Sequence, residues 1–407
     1  MNPGENHWKG RTLCFLASQS ITLFGSTLVQ MAMVWYVTLE TASGAWVAAF
    51  TICSYLPQFL ISFPGGVWAD RYSRKKLIIG ADAMIAAVTL ALVLAMPRLK
   101  DRPVLLGMLL LASVLRSLGA GVQTPAVNAV IPQLVPQEQL MRYNGINAAM
   151  QSAVQFAAPA AAGILLTAST LRASLLADIL TAALGIGLLG GIPIPEPPSQ
   201  WKERTVLTDM KRGVHYARSQ PLIGRLLIVY GLFVFLCVPA GFLAQLLVSR
   251  VYGGTYWHLT AVEVTGFAGM AAGGALMGVW GGFQRREKTL WCGLVAFGLL
   301  AIGMGISRRF GLYLLLMLLY GVALTMVQTS VTTLIQERAD RSLQGRVFGL
   351  QSSMYAGFLP AGMAVFGPMA DLVPLQWLMA GSGAALLAVA AAVQRDKHFR
   401  QEKDCFL

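Results

Sequence analysis

The chain has 407 residues, of which 56% are hydrophobic and only 12% are charged. A soluble protein of this length would carry about twice that charged fraction, so the composition excludes an ordinary water-soluble domain and favours a lipid bilayer as the solvent. The net charge of +13 would suggest nucleic acid in a soluble protein. Here the basic residues concentrate between apolar segments, so we expect no nucleic-acid partner.

A membrane-spanning helix needs about 20 mainly apolar residues. Apolar runs broken by charge or proline predict twelve such spans, and hence an all-α integral membrane protein with two pseudo-symmetric six-helix bundles. The predicted spans lie near 12–38, 44–68, 76–97, 103–130, 144–168, 171–192, 222–249, 257–283, 289–307, 310–336, 344–370 and 374–394.

The distribution of Lys and Arg predicts the orientation of the chain. If both termini are cytoplasmic, 22 of these residues lie in cytoplasmic segments and 7 in outer segments. Connectors rich in Lys and Arg remain in the cytoplasm, so this asymmetry places both termini inside the cell.

The longest connector divides the chain into three predicted parts: an N-terminal bundle at 1–192, a linker at 193–221, and a C-terminal bundle with a short tail at 222–407. Leu207, Met210 and Val214 share one face of the linker, which predicts an amphipathic helix at the cytoplasmic interface. Three patterns recur in order in the two halves, as expected of an internal repeat. They are GVWADRYSRKK at 66–76 with GVWGGFQRR at 278–286, QT at 123–124 with QT at 328–329, and RYNG at 142–145 with RVFG at 346–349.

The segment GGVWADRYSRKKL at 65–77 resembles the loop motif G-x-x-x-D-R-x-G-R-K of the major facilitator superfamily, with Ser73 at the second glycine. Three stretches are similar to macrolide-efflux (Mef-type) exporters of its drug:proton antiporter branch: 28–38, 70–87 and 116–140. The resemblance implies a monomeric exporter in a bacterial cytoplasmic membrane, with membrane lipid and a small amphiphilic substrate as partners. It also implies a proton gradient as energy source, with no cofactor. Siderophore and lipid exporters have similar architecture, so they remain alternatives.

The loop motif carries the first set of candidate functional residues: Gly66, Asp70, Arg71, Arg74 and Lys75. An aspartate favours the N-terminus of a neighbouring helix, where the macrodipole attracts an anion, and the basic residues can bind acidic groups or lipid headgroups. The resemblance implies that this loop is a conformational latch on the cytoplasmic side. A generic basic loop is the alternative.

Four ionisable residues within predicted spans are candidates for proton coupling. Arg116 lies near the middle of the fourth span, where a charge is costly unless it faces a partner or water, and it resembles the arginine of a family motif that is associated with proton coupling. Glu263, Asp82 and Asp178 are carboxylates within spans and could bind and release a proton. Glu263 is the first choice as carrier. For Arg116 the alternative is a structural charge pair within the N-terminal half. The resemblance implies that the third and sixth spans are outer, lipid-facing helices, which favours structural roles for Asp82 and Asp178.

The resemblance implies that the first, fourth, seventh and tenth spans line a central cavity. Polar or aromatic side chains recur along them at helical spacing, although each could instead form hydrogen bonds between helices. Apart from Arg116 this set is neutral, which fits a large amphiphilic molecule better than a sugar or small ion. The predicted cavity residues are Gln19, Ser26, Gln30, Gln123, Tyr230, Gln245, Thr325 and Gln328.

The sequence offers no support for catalysis. The four histidines lie in predicted loops or at helix ends, the five cysteines have no metal-ligand spacing, and there is no phosphate-binding P-loop. We therefore expect no catalytic residues and no metal. A membrane-embedded enzyme or a sensor is the alternative from another functional class.

Overall fold

The computed structural model describes residues 3–98, 101–136, 139–194, 216, 219–339 and 344–396. Within these ranges the secondary structure is helical, with no strand. The predicted amphipathic stretch of the linker, with Leu207, Met210 and Val214, lies outside the described residues, and so does the tail beyond 396.

The first half of the chain contains six long helices. Helix α3 is followed by a short 3₁₀ turn, Met96–Arg98, and Pro103 lies in the first turn of α4, where its missing N–H costs no helical hydrogen bond. The six helices are α1 (Pro3–Thr41), α2 (Gly44–Arg71), α3 (Arg74–Ala95), α4 (Arg102–Leu134), α5 (Leu140–Ala168) and α6 (Leu171–Gly190).

The predicted seventh span, 222–249, consists of three helices. The breaks fall at Cys237 and at Phe242–Leu243, on either side of Pro239, which has no N–H to donate. Both Phe242 and Leu243 donate their backbone N–H to the carbonyl of Val238. The helices of the second half are α7 (Pro221–Leu236), α8 (Val238–Gly241), α9 (Ala244–Val251), α10 (Tyr256–Trp280), α11 (Arg286–Ile306), α12 (Phe310–Arg338), α13 (Gln344–Leu372) and α14 (Leu375–Arg395).

Ten of the described helices are long and apolar enough to cross a membrane, namely α1–α6, α10–α12 and α14. The all-α membrane architecture is therefore confirmed. Helix α7, with 16 residues, and helix α13 are not among the ten, so the count of twelve spans stays a prediction.

The chain divides into two compact units: Met1–Glu40 with Ala49–Lys202, and Thr41–Ala48 with Glu203–Leu407. The short segment between α1 and α2 thus belongs to the second unit. The division that the sequence predicts, at 1–192, 193–221 and 222–407, stays a prediction.

In the first unit, a hydroxyl group from α4 enters the backbone of α2 beside Pro57. Ser117 Oγ accepts a hydrogen bond from the N–H of Gln58 at 2.8 Å and donates one to the carbonyl of Ser54 at 2.7 Å. In an unbroken helix this N–H and this carbonyl would bond each other. Ser117 therefore hydrogen-bonds two backbone groups of α2 next to Pro57 and ties α2 to α4.

Glycine permits the close approach of the same two helices. A Cβ atom at Gly121 would lie 2.5 Å from the carbonyl oxygen of Gln58 and 2.2 Å from Cγ2 of Ile61. Small residues allow such backbone contact between membrane helices. Gly107, on the same helix, would place a Cβ in open space.

Replacement of Gly121 by alanine should destabilise the protein, because the added methyl group collides with the backbone of α2. Overpacking of this kind costs about 1–3 kcal/mol. Gly107→Ala is the matched control and should leave stability unchanged or slightly higher, since alanine favours helix. Thermal unfolding of the purified protein in detergent measures both, and equal unfolding temperatures for the two variants would contradict the packing described here.

Candidate functional site

The first unit contains a buried ion pair between α4 and α6. Arg116 Nη1 donates to Asp178 Oδ2 and to Thr89 Oγ1, and the side chains of the pair are only 7% and 2% exposed. Thr89 on α3 also donates to Asp178 Oδ2 at 2.9 Å, and Ser26 on α1 donates to Asp178 Oδ1 at 3.5 Å. An unpaired buried ion costs on the order of several kcal/mol, so each of these two charges requires the other.

The ion pair and its hydrogen bonds bring together three residues that the sequence placed in two groups. Arg116 and Asp178 are proton-coupling candidates, and Ser26 is a cavity candidate. Asp178 is 1% exposed, so its carboxylate lies inside the first unit and not on the outer surface of α6. Arg116 thus makes a charge pair within the N-terminal half, the alternative that the sequence left open.

A second buried carboxylate, Asp82, lies on α3, about two turns before Thr89. Asp82 is 4% exposed, and its Oδ1 accepts a hydrogen bond from Gln123 Nε2 of α4 at 2.7 Å. Its Oδ2 is buried and has no hydrogen-bond partner among the described residues. The structure therefore brings together a coupling candidate and a cavity candidate and leaves one carboxyl oxygen unsatisfied.

The polar residues of α1 that the sequence assigned to a cavity make contacts within the first unit. Gln30 donates to Ser54 Oγ at 2.7 Å, and Ser54 shares a hydrogen bond of 2.6 Å with Ser113 of α4. Gln19 is 8% exposed and donates to the neighbouring Ser18 at 3.2 Å. Gln30 thus joins α1 to α2 and α4.

The basic loop between α2 and α3 is tied to helix ends in the same unit. The guanidinium group of Arg74 and the ammonium group of Lys75 both donate to backbone carbonyls. The carbonyls of Ala69 and Gly190 lie in the last turns of α2 and α6, where such groups are unpaired and carry partial negative charge, which favours a cation. The acceptors are Ala69 and Ala129 for Arg74, at 2.9 and 2.8 Å, and Gly190 and Ile192 for Lys75, at 2.7 and 2.9 Å.

Three residues of the predicted latch remain: Gly66, Asp70 and Arg71. A Cβ at Gly66 would meet no atom within 4 Å, and Arg71 is exposed. Asp70 ends α2 together with Arg71, but its side chain is outside the described part. Gly65, not Gly66, makes the close contact in this unit, because a Cβ there would lie 2.9 Å from the carbonyl of Gly121.

In the second unit, the carboxylate of Glu263 lies well inside a long apolar helix. Glu263 is the eighth residue of α10, and its Oε2 accepts a hydrogen bond from Gln245 Nε2 of α9 at 2.7 Å. Both residues are half-buried. Among the described residues Glu263 has no ion pair, so glutamine, not a cation, is its neighbour.

The other predicted cavity residues of the second unit are dispersed. Thr325 of α12 donates to the carbonyls of Met270 and Gly321, each at 3.1 Å. Tyr230 is buried in α7, and Gln328 is half-buried in α12. Among the described residues, none of the three forms a hydrogen bond with Glu263.

Sequence reasoning missed a charged cluster of the second unit at the start of α2. The carboxylate of Asp371, at the end of α13, accepts from Gly44 N at 2.7 Å, Ala45 N at 2.9 Å and Ser43 Oγ at 2.7 Å. Arg250 of α9 pairs with the same carboxylate at 2.7 Å. Asp371 thereby satisfies helix N-terminal donors and complements the macrodipole.

The backbone around this cluster is unusual and tightly packed. Ala42 has φ of +46°, a left-handed conformation uncommon for a residue with a side chain, and its carbonyl accepts from Arg250 Nε at 3.0 Å. A Cβ at Gly44 would lie 2.2 Å from the carbonyl of Gly367. Ser43 before an apolar run is a helix-start signal in the sequence, but the pairing of Asp371 with α2 has no local signal.

Comparison with known proteins identifies the family. The profile described as "Major Facilitator Superfamily" matches residues 15–363. Macrolide efflux protein A of Streptococcus pyogenes is 28% identical over 389 residues, 95% of each chain. Macrolide efflux protein A of Enterococcus faecalis is 29% identical over 323 residues, 78% of this chain and 99% of that one.

More distant similarities extend to siderophore transport and to solved structures. The enterobactin exporter EntS of Escherichia coli O9:H4 is 25% identical over 83% of this chain and 80% of its own. A bacterial homologue of the iron transporter ferroportin, in an inward-facing state, superposes with a TM-score of 0.71 at 17% identity, covering 95% of this chain and 99% of its own. The D-xylose–proton symporter superposes with a TM-score of 0.71 at 14% identity, covering 94% of this chain and 97% of its own.

At these identities the solved structures establish the fold alone, whereas the profile covers most of the chain. The helical architecture, the spans and the profile agree. The chain is a multi-pass membrane protein with bacterial relatives and a transporter rather than an enzyme, and it belongs to the major facilitator superfamily.

Proposed function

We propose that this transporter exports amphiphilic, macrolide-like compounds by alternating access, in exchange for protons. Two relatives bear the name macrolide efflux protein, which supports the substrate class. Neutral polar side chains dominate the predicted cavity set, and such a surface suits a large molecule with few charges.

The observation that carries the proton exchange is the pair of membrane carboxylates without cationic partners. Asp82 and Glu263 each accept one hydrogen bond from a glutamine amide and have no ion pair among the described residues. An ionisable group in a spanning helix is a functional site by default. A carboxylate that gains and loses a proton as its surroundings change can couple the two fluxes, with no cofactor other than the gradient.

The membrane location and topology that we propose follow from the distribution of Lys and Arg along the chain. The protein lies in a bacterial cytoplasmic membrane with both termini in the cytoplasm, as a monomer in contact with lipid and without a nucleic-acid partner. Basic connectors on the inner side support this orientation and can bind lipid headgroups. Residues Gly66, Asp70, Arg71, Arg74 and Lys75 form the cytoplasmic latch that opens and closes during transport.

An exporter of siderophores is the second candidate, since EntS of Escherichia coli and the staphyloferrin A transporter of Staphylococcus aureus are also relatives. Export of a lipid is a further alternative. Parallel transport measurements with a macrolide, a siderophore and a fluorescent lipid distinguish these substrate classes.

Inverted membrane vesicles test the function directly. With the vesicle interior more acidic than the medium, so that protons flow outward, wild-type protein should accumulate a macrolide, and dissipation of the gradient should abolish accumulation. Glu263→Gln should reduce gradient-driven uptake by about tenfold or more, because an intramembrane carboxyl that exchanges a proton is lost. Asp101→Asn is the matched control, since Asp101 is an exposed carboxylate before α4, and it should transport normally.

Full gradient-driven uptake by Glu263→Gln would remove Glu263 from the coupling mechanism. Uptake by the wild type that does not respond to the gradient would contradict the proposed antiport as a whole.

Single cysteines test the orientation. Lys76 and Arg308 are both exposed, and they lie in connectors that we place on opposite sides of the membrane. In a background without the native cysteines, a membrane-impermeant thiol reagent should label Arg308→Cys in intact cells and Lys76→Cys only after permeabilisation, because impermeant reagents reach only the outer side. Labelling of Lys76→Cys in intact cells would invert the topology.

A further inference from the structure

We infer that Asp82 is held in this conformation as a neutral carboxylic acid and is the proton-exchange site of the first unit, whereas Asp178 stays ionised as the structural partner of Arg116. The inference rests on the proposed proton exchange and assigns one of its sites. It concerns two carboxylates that lie in the same bundle and are buried to a similar degree, yet differ in their partners.

The surroundings of Asp82 do not support a negative charge. The side chain is 4% exposed, Oδ1 accepts one hydrogen bond from Gln123, and Oδ2 accepts none in the described structure. A buried carboxylate is stable only when paired or when several donors satisfy its oxygens. One amide donor leaves most of the cost of desolvation uncompensated, whereas a proton on the carboxyl removes the charge.

The charged residues of the surrounding helices have other positions or partners. Helix α3 packs on α4 and α6. The charged residues of these three helices are Arg74, Lys75 and Lys76 on α3, Arg102 and Arg116 on α4, and Arg172 and Asp178 on α6.

Among the described residues, none of these side chains forms a hydrogen bond or ion pair with Asp82. Arg74 and Lys75 donate to backbone carbonyls, and Arg102 pairs with Glu40 near the start of α4. Lys76 and Arg172 are exposed. Arg116 is paired with Asp178, whose own negative charge further disfavours a second one on Asp82.

Asp178 is in the opposite situation. Its Oδ2 accepts from Arg116 and Thr89, and its Oδ1 faces Ser26. A proton on Asp178 would leave the guanidinium of Arg116, itself 6% exposed, as an uncompensated buried charge. Asp178 therefore keeps its charge, and removal of this charge should lower the stability of the folded protein.

An apolar contact separates the two sites. Asp82 and Thr89 are seven residues apart on α3, as are Gln123 and Arg116 on α4, which corresponds to about 10 Å along each helix. Between these levels Ile85 fills the space beside Gly119, where a Cβ would lie 2.7 Å from Ile85 Cγ1. The proton of Asp82 thus has no polar connection to the ion pair through this contact.

Infrared spectroscopy of the purified protein in lipid tests the protonation state without transport. At neutral pH the wild type should show a carbonyl stretch of a protonated carboxylic acid that Asp82→Asn removes. Gln123→Leu should keep this band and shift it to higher frequency, because the carbonyl loses its hydrogen-bond donor. An unchanged acid band in Asp82→Asn, or no effect of Gln123→Leu on that band, would overturn the inference.

Transport measurements on variants distinguish a failure of this inference from a failure of the proposed function. The asparagine of Asp82→Asn resembles the neutral acid in shape, so this variant should still exchange labelled for unlabelled substrate. Its gradient-driven uptake should fall by about tenfold or more. Asp178→Asn should instead lower the unfolding temperature, because Arg116 loses its counter-ion. Gradient-driven uptake within about twofold of wild type in Asp82→Asn, with a functional wild type, would exclude Asp82 as the exchange site and leave antiport intact.

Discussion

A charged side chain within a membrane-spanning helix must have a partner, and this requirement organises the first unit. Arg116 is the fifteenth residue of α4, too far from either end of that helix for its charge to be placed easily at the surface. Asp178 supplies the counter-charge from α6, and Thr89 and Ser26 supply hydrogen bonds from α3 and α1. Four helices therefore meet at one ion pair, whose members cannot change separately without a large cost in stability.

The same requirement makes the unpaired carboxylates informative. Asp82 and Glu263 lie in different units, yet each has a glutamine amide as its neighbour instead of a cation. A glutamine amide can donate to a carboxyl group in either protonation state, so this arrangement tolerates both the presence and the absence of a proton. An ion pair such as Arg116–Asp178 tolerates only the charged state. The structure thus contains one kind of carboxyl suited to stability and another suited to exchange.

Much of the helical architecture could be predicted from the sequence, because span length and hydropathy are local properties. The depth of Arg116 and the glycines at 119 and 121 were also visible. The two glycines prove to be sites of close helix packing, against Ile85 and Gln58 respectively. Pro239 was visible too, but the division of the seventh span into three helices depends on how its neighbours satisfy the backbone.

The sequence could not predict which charged side chains pair with each other, because these pairs join distant parts of the chain. Nothing local to Asp178 indicates Arg116, 62 residues earlier. Likewise, Asp371 and Arg250 look like ordinary charges near helix ends, although together they hold the start of α2, more than 200 residues away. Lys75 was assigned to a latch by its motif, and its contacts with the end of α6 belong to the packing of one unit.

Proton exchange is the central functional claim, and proteoliposomes containing only the purified protein measure it most directly. With a pH-sensitive dye enclosed and no other energy source, an imposed macrolide gradient should drive protons in the opposite direction, and the flux should stop when the macrolide gradient is removed. Macrolide movement across these membranes without any accompanying proton flux would contradict the claim.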